Sequence, residues 1–155
     1  MSLVVGGVVF VMGTIAQSAM AQGLVSFSGG IGDITTGSTN TTVRGVPAAG
    51  QIWVIRTLEA DVRQDGSIRV DGQGLLLGAG DAIGSNAGAS VFATLFCSND
   101  GNIQHNSNAA GVPLELDGDF RINDTLSPVP PSTCLAPVLL IRSTSGSWFA
   151  AGIPR

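Results

Sequence analysis

Lysine and tyrosine are absent from this 155-residue chain, histidine occurs once, and cysteine occurs twice. All seven basic residues are arginines, against eleven acidic residues, which gives a formal net charge of −4. Such a mildly acidic chain with scattered arginines lacks the dense positive charge that nucleic acids and anionic membranes attract. We therefore expect no nucleic-acid partner. The low charged fraction of 12% and the 22 glycines favour an extracellular β-protein.

The shortage of nitrogen and sulfur ligands also limits which metal sites and catalytic groups the chain can form. A tetrahedral zinc or copper site needs three or four such ligands, and the chain offers His105 and two cysteines that we expect to be oxidised. As a general base, His105 would need an activated serine and an orienting carboxylate. Ser98 and Asp100 are near it in sequence, but this proximity does not create a triad. We predict no metal, no cofactor and no catalytic residue, with His105 exposed beside a turn at Asp100.

The first 21 residues, MSLVVGGVVFVMGTIAQSAMA, contain no charged residue. An apolar run is followed by small residues ending in Ala-Met-Ala, which is typical of a signal peptide cleaved before Gln22, although no basic residue precedes the run. The run is shorter than the roughly 20 apolar residues that cross a bilayer. The pattern predicts export, with the mature chain secreted, periplasmic or on the cell surface and not inserted in a membrane.

Residues 22–50 are rich in glycine, serine and threonine, which predicts a flexible N-terminal arm. From residue 51 onward apolar and polar residues alternate, as in TLEADVR and SIRVDG, and Asp65-Gly66 between these two runs suits a tight hairpin. SVFATLFC is apolar on both faces, PLELDGDFRIN alternates, and CLAPVLLIRS with SWFAAGI reads as a closing hairpin. About seven strands over residues 51–155 predict an all-β fold, an antiparallel sandwich resembling the immunoglobulin fold.

The C-terminal segment PPSTCLAPVLLIRSTSGSWFAAG, together with the upstream FATLFC, resembles a group of small exported bacterial proteins of uncharacterised function. The shared pattern is Cys-x-Ala-Pro, an apolar strand, and then Gly-Ser-Trp-Phe-Ala. The similarity leaves the N-terminal arm uncovered and implies no catalytic residues.

Two cysteines in an exported domain predict a disulfide, here between Cys97 at one strand end and Cys134 at the start of another. Trp148 and Phe149 are neighbours on a strand and must point to opposite faces, so one of them is exposed or covered by a further layer. Core packing is the favoured role for both tryptophans. Possible ligand contacts are Trp53, Trp148, Phe149, Asp100 and Asn102.

The sequence therefore predicts an exported, non-enzymatic binding or structural protein whose partner is an unknown protein, a glycan or another copy of the chain. One alternative is a carbohydrate- or calcium-binding module. A second is a self-assembling surface or filament subunit that pairs its N-terminal arm with a neighbour's sheet edge. The least favoured alternative is a hydrolase that uses either Asp117 and Asp119, as a carboxylate pair on one strand face, or His105.

Overall fold

A computed structural model of the chain describes residues 6–11, 13, 21–34 and 41–155. Most of the signal peptide that the sequence predicts at residues 1–21 lies outside these ranges. Within the described residues, no helix is long and apolar enough to cross a membrane.

Strands dominate the described part of the chain, which confirms the all-β prediction. The bounds are β1 Gly23–Gly32, β2 Trp53–Val54, β3 Thr57–Arg63, β4 Ser67–Gln73, β5 Leu76–Leu77, β6 Ser90–Phe96, β7 His105–Asn106, β8 Val112–Pro113, β9 Phe120–Thr125, β10 Val138–Ser143 and β11 Trp148–Pro154, with a short 3-10 helix at Ser98–Asp100. The two hairpins that the sequence predicts, β3–β4 and β10–β11, are both present as antiparallel pairs.

Nine of these strands form one antiparallel sheet in the order β7-β6-β10-β11-β1-β3-β4-β9, with β8 also paired to β6. The two ends of the sheet meet where Asn106 in β7 bridges Ser127, just after β9, through N–H···O distances of 3.0 and 2.9 Å. The sheet is therefore nearly barrel-shaped, and β2 and β5 form a separate small pair. This pairing does not confirm the two-sheet, immunoglobulin-like sandwich.

The structure also differs from the flexible arm expected over residues 22–50. Gly23–Gly32 is strand β1, which is hydrogen-bonded to β3 on one side and to β11 on the other. Its glycines serve packing: a Cβ atom at Gly32 would lie 2.1 Å from the carbonyl oxygen of Trp53, and one at Gly30 would lie 2.8 Å from the side chain of Ile55. The glycines that suggested a loop instead allow this strand to lie close to the Trp53 backbone and the Ile55 side chain. Residues 35–40 of the arm lie outside the described residues.

One face of the curled sheet holds the main hydrophobic core. Alternation explains its membership, because every second residue of β3 and β4 points inward: Leu58, Ala60, Val62, Ile68 and Val70 are buried. Strand β6 is buried along nearly its whole length, as its uniformly apolar sequence predicts.

The opposite face of β6, β10 and β11 is also apolar and is covered by the chain itself. Phe96, Leu140 and Trp148 pack there against Val46 from the segment 41–49. Backbone hydrogen bonds attach this segment to β11, from Trp148 N–H to the Pro47 carbonyl (3.0 Å) and from Ala49 N–H to the Trp148 carbonyl (3.1 Å). The second half of the expected arm is thus a covering layer.

Candidate functional site

His105 is buried, with 2% of its surface exposed, so the expectation of an exposed histidine beside a turn is wrong. Its Nε2 lies 2.5 Å from an Asp100 carboxylate oxygen, and its Nδ1 lies 2.6 Å from the carbonyl oxygen of Pro128. Asp100 also accepts a hydrogen bond from the Ile103 amide. The burial follows from the loop after β6, which folds back so that β7 can pair with β6.

The two partners of the His105 ring restrict its protonation state. A carbonyl oxygen only accepts hydrogen bonds, so Nδ1 carries a proton and donates it to Pro128. One more proton then lies between Nε2 and Asp100, in an imidazolium–carboxylate pair or in a neutral imidazole with a carboxylic acid. The His105 ring nitrogens and the Asp100 carboxylate oxygens are thus occupied by each other and by backbone groups, an arrangement that fixes a loop.

The predicted disulfide between Cys97 and Cys134 is confirmed and lies beside this pair. A Cys97 sulfur, an Asp100 carboxylate oxygen and a His105 ring nitrogen all lie within 4.8 Å of one another. These three atoms are of the types that bind transition metals, but the sulfur is joined to Cys134 and is not a thiolate.

Of the predicted ligand contacts, the three aromatic residues are buried. Trp53 and Phe149 stack in the core with ring centroids 3.9 Å apart. Trp148 points to the opposite face, where its indole N–H donates to the carbonyl of Thr41 at 2.9 Å. The neighbouring residues do point to opposite faces, and the covering segment 41–49 buries the outer one. None of these rings is free to stack on a sugar in this structure.

The two polar candidates have different surroundings. Asp100 is engaged with His105, whereas Asn102 is exposed at a loop tip with a positive φ of 59°. The Asn102 side-chain oxygen accepts a hydrogen bond from the guanidinium of Arg44, which also donates to the Ala136 carbonyl at 3.1 Å. Arg44 therefore holds the covering segment to two loops, and Asn102 is the contact on one of them.

Asp117 and Asp119 do not share a strand face, as the sequence suggested, because β9 begins only at Phe120. They lie in a turn in which Asp117 accepts a hydrogen bond from the Asp119 amide at 3.0 Å, and Asp119 accepts one from the Gly74 amide at 3.0 Å. Both carboxylates, with exposed Glu115 nearby, stabilise this turn. The hydrolase alternative loses the carboxylate geometry on which it depended.

Arg142 and Asp33 are buried charged residues, and the sequence around them shows no pattern that predicts this burial. Arg142 donates to the Gly146 carbonyl (2.9 and 2.7 Å), to Gln104 (2.9 Å) and to Thr94 (3.3 Å), and burial lowers the pKa of its guanidinium. All of these partners are neutral, so Arg142 ties the β10–β11 turn to the loop before β7.

Asp33, at the end of β1, is fully buried, and neither of its carboxylate oxygens has a hydrogen-bond partner among the described residues. Burial raises the pKa of Asp33 to about 6, opposed weakly by the nearby amide of Ala49, although the hydrogen bond of that amide goes to Trp148. Asp33 lay inside the stretch that the composition marked as a loop, and no local signal identified it.

The outward face of β1, β3, β4 and β9 carries polar side chains in register. Ser26 pairs with Asp61, Asp61 with Arg69, and Arg69 with Asn123, which gives one polar row across four strands. The row crosses three strand spacings, or about 14 Å. It crosses an open groove of about 690 Å³ that also has Arg63 and Ser67 on its walls.

The polar row from Ser26 to Asn123 differs from the neighbouring row on the same strands. In that neighbouring row, Ser28 donates to Glu59 at 2.7 Å, and Arg121 contacts Asp71 at 2.6 Å. Among the described residues, Asp61 and Arg63 make no side-chain hydrogen bond or ion pair, and Arg69 has only a contact of 3.8 Å to Asp71. The groove therefore presents donors and acceptors that the chain leaves unused.

Comparison with known proteins adds no functional assignment. The chain matches no family model, no curated protein and no solved structure. The resemblance of the C-terminal segment to small exported bacterial proteins therefore stays a prediction.

Proposed function

We propose that the protein is an exported, non-enzymatic binding module that holds an acidic polysaccharide in the groove across β1, β3, β4 and β9. The observation that carries the proposal is the row of unused polar side chains on the groove floor. Export is supported by the uncharged apolar N-terminus and by the Cys97–Cys134 disulfide, which is typical of oxidising compartments.

The side chains of the groove fit a glycan better than an apolar ligand. Sugar hydroxyls both donate and accept hydrogen bonds, and the groove offers the carboxylate of Asp61, the amide of Asn123 and the hydroxyl of Ser26. Arg63 and Arg69 add planar guanidinium groups that bind carboxylates through two parallel hydrogen bonds. No aromatic residue lines the groove, so binding depends on these polar contacts and favours acidic over neutral sugars.

Binding without catalysis is supported by the state of the titratable residues in the described chain. His105 and Asp100 are hydrogen-bonded to each other and to backbone, and Asp117 and Asp119 stabilise a turn. The self-assembly alternative has less support, because β1 and the segment 41–49 are already paired within the same chain.

Calorimetric titration with polygalacturonic acid as the acidic probe and dextran as the neutral probe tests the proposal. The protein is expected to bind polygalacturonic acid, with an affinity that falls as salt is added, and not to bind dextran. The double variant Arg63→Ala/Arg69→Ala should bind at least about tenfold more weakly, since each charged hydrogen bond contributes about 1.5–3 kcal/mol.

Arg56→Ala is the matched control, because Arg56 is an exposed arginine outside the groove with only a 3.9 Å contact to Asp119. Its affinity should equal that of the unmodified chain. Absence of binding to polygalacturonic acid, or an equal loss in the Arg56 variant, would refute the groove as the binding site.

A further inference from the structure

Three potential metal ligands meet around the loop after β6, and a fourth, Cys134 in the loop before β10, is joined to one of them by the disulfide. Cys97, Asp100 and His105 place one ligand atom each within 4.8 Å of the others, and Cys134 is covalently attached to Cys97. We propose that these four side chains form a redox-gated site for a divalent transition metal of the zinc type. The oxidised chain holds the disulfide, and the reduced chain holds the metal.

The distances require small movements. In a tetrahedral zinc site the ligand atoms lie about 2.0–2.3 Å from the metal, and therefore about 3.3–3.8 Å from one another. The Asp100–His105 contact of 2.5 Å must lengthen by about 1 Å, and the two sulfurs must separate once the bond between them is reduced. The Cα atoms of the two cysteines are 5.0 Å apart, so both side chains start from neighbouring backbone positions.

His105 already has the orientation that a metal ligand needs. Its Nδ1–H donates to the Pro128 carbonyl, which leaves Nε2 directed at Asp100. A ligating histidine characteristically donates its other ring N–H to a carbonyl or a carboxylate, which fixes the tautomer and the ring plane. Pro128 supplies that second contact before any metal is bound.

The two loops are joined by more than the disulfide. The Ser98 amide donates to the Leu135 carbonyl at 2.8 Å, and the Asn99 side chain both donates to the Thr133 carbonyl (2.8 Å) and accepts from the Leu135 amide (3.0 Å). These bonds flank the cysteines on both loops. They keep the two sulfurs adjacent after the bond between them is broken.

The chemistry of the switch balances with a dithiol reductant. The dithiol gives two electrons and two protons to the disulfide, so that it becomes a disulfide itself and Cys97 and Cys134 become thiols. The divalent ion then displaces the two thiol protons and the proton between His105 Nε2 and Asp100, three protons in all. It binds two thiolates, the His105 Nε2 and the Asp100 carboxylate. Cys134 and Asp100 are the partly exposed members of the set and give reductant and metal access to buried Cys97.

Cobalt(II) absorption tests the site, because tetrahedral thiolate-bound Co²⁺ has visible d–d bands and a near-ultraviolet sulfur-to-metal band. The full chain is reduced with a phosphine, freed of reductant and titrated with Co²⁺ alone, beside an oxidised sample. We expect both sets of bands in the reduced chain, neither in the oxidised chain, and their loss when Zn²⁺ is added. His105→Ala and Asp100→Ala should each weaken Co²⁺ binding by about tenfold or more, whereas Asp81→Ala, an exposed aspartate elsewhere, should not.

If reduction unfolds the chain, near-ultraviolet circular dichroism of the buried tryptophans measures whether Co²⁺ binding refolds it. In that case Co²⁺ should restore the native signal of the reduced chain but not that of the His105 variant. Failure of the reduced chain to bind Co²⁺ would overturn the proposal. So would equal binding by the unmodified chain and the His105 and Asp100 variants, because that result would assign the metal to the two thiols alone.

Discussion

Replacement of Asp33 by asparagine should make the protein more stable at neutral pH and remove part of its pH dependence. Asp33 is fully buried at the end of β1, and its carboxylate oxygens lack hydrogen-bond partners among the described residues. Burial of a charge without a partner is unfavourable, and the pKa of Asp33 is accordingly raised from 3.8 to about 6. The causes of this shift are burial and one backbone amide, and no charged side chain is among them.

The size of the effect follows from linkage between proton binding and folding. A pKa difference of about two units between the folded and unfolded chain corresponds to about 3 kcal/mol. Because the folded pKa is the higher one, the folded state binds the proton more tightly, and stability is lost as the pH rises from about 4 through about 6. Asparagine stays neutral throughout, so Asp33→Asn should gain up to about 3 kcal/mol relative to the unmodified chain over that window.

Urea unfolding followed by tryptophan fluorescence, repeated in steps between about pH 4 and pH 8, measures this difference. Subtraction of the two curves cancels the contribution of the other carboxylates. Any constant cost of the amide shifts the difference without changing its dependence on pH. Asp65→Asn is the matched control with the opposite sign, since hydrogen bonds from the Ser67 side chain and amide lower the pKa of Asp65. That variant should lose stability at neutral pH, and the loss should shrink in acid.

A difference between Asp33→Asn and the unmodified chain that does not change across this pH range would refute the reasoning. It would mean that the Asp33 carboxylate has a hydrogen-bond partner or water contact in solution that compensates its burial.

The remaining predictions concern the buried histidine, the disulfide and the N-terminus. His105→Ala should lower the free energy of unfolding in urea by about 3 kcal/mol, because it leaves the Asp100 carboxylate, which is only partly exposed, without its partner; an unchanged unfolding curve would contradict the importance of this pair. Cys97→Ser/Cys134→Ser should lower it by about 4 kcal/mol, since the disulfide spans a sequence separation of 37, and unchanged stability would exclude that contribution. Mass spectrometry of the exported protein should give a chain that begins at Gln22, and an intact N-terminus would contradict signal cleavage.

Local pattern was enough to predict the hairpins. In β3–β4, alternation and the Asp65-Gly66 turn act over neighbouring residues, and both the strands and their pairing follow. The position of β1 could not be predicted in this way, because its partners β3 and β11 are far away in sequence. Its glycines made the composition typical of a loop. Their structural role is instead to allow the Trp53 backbone to lie close to Gly32.

The candidate site likewise combines features that the sequence predicts with features that depend on contacts between distant residues. The disulfide could be predicted from the cysteine count and the export signal, since these depend on chemistry and compartment. The burial of His105 could not, because it depends on how the loop after β6 folds back onto the Pro128 carbonyl. The polar row depends on the register of four strands. Alternation within a single strand predicts that its residues point outward, but it does not show that they align with those of the next strand.

The outward face of the sheet shows where a partner is expected. A closed sheet buries one face in its core, so the other face meets water, another part of the chain or a ligand. Over β6, β10 and β11 that face is apolar, and the chain covers it with the segment 41–49. Over β1, β3, β4 and β9 it is polar. Among the described residues, the row that contains Glu59 and Asp71 and the Thr57–Gln73 pair beside it are internally hydrogen-bonded, unlike the row that contains Asp61 and Arg69. Exposed pairs of that kind contribute at most about 1 kcal/mol, so the unpaired row beside them has even less effect on stability. Its alignment within a groove is therefore better explained by binding than by folding.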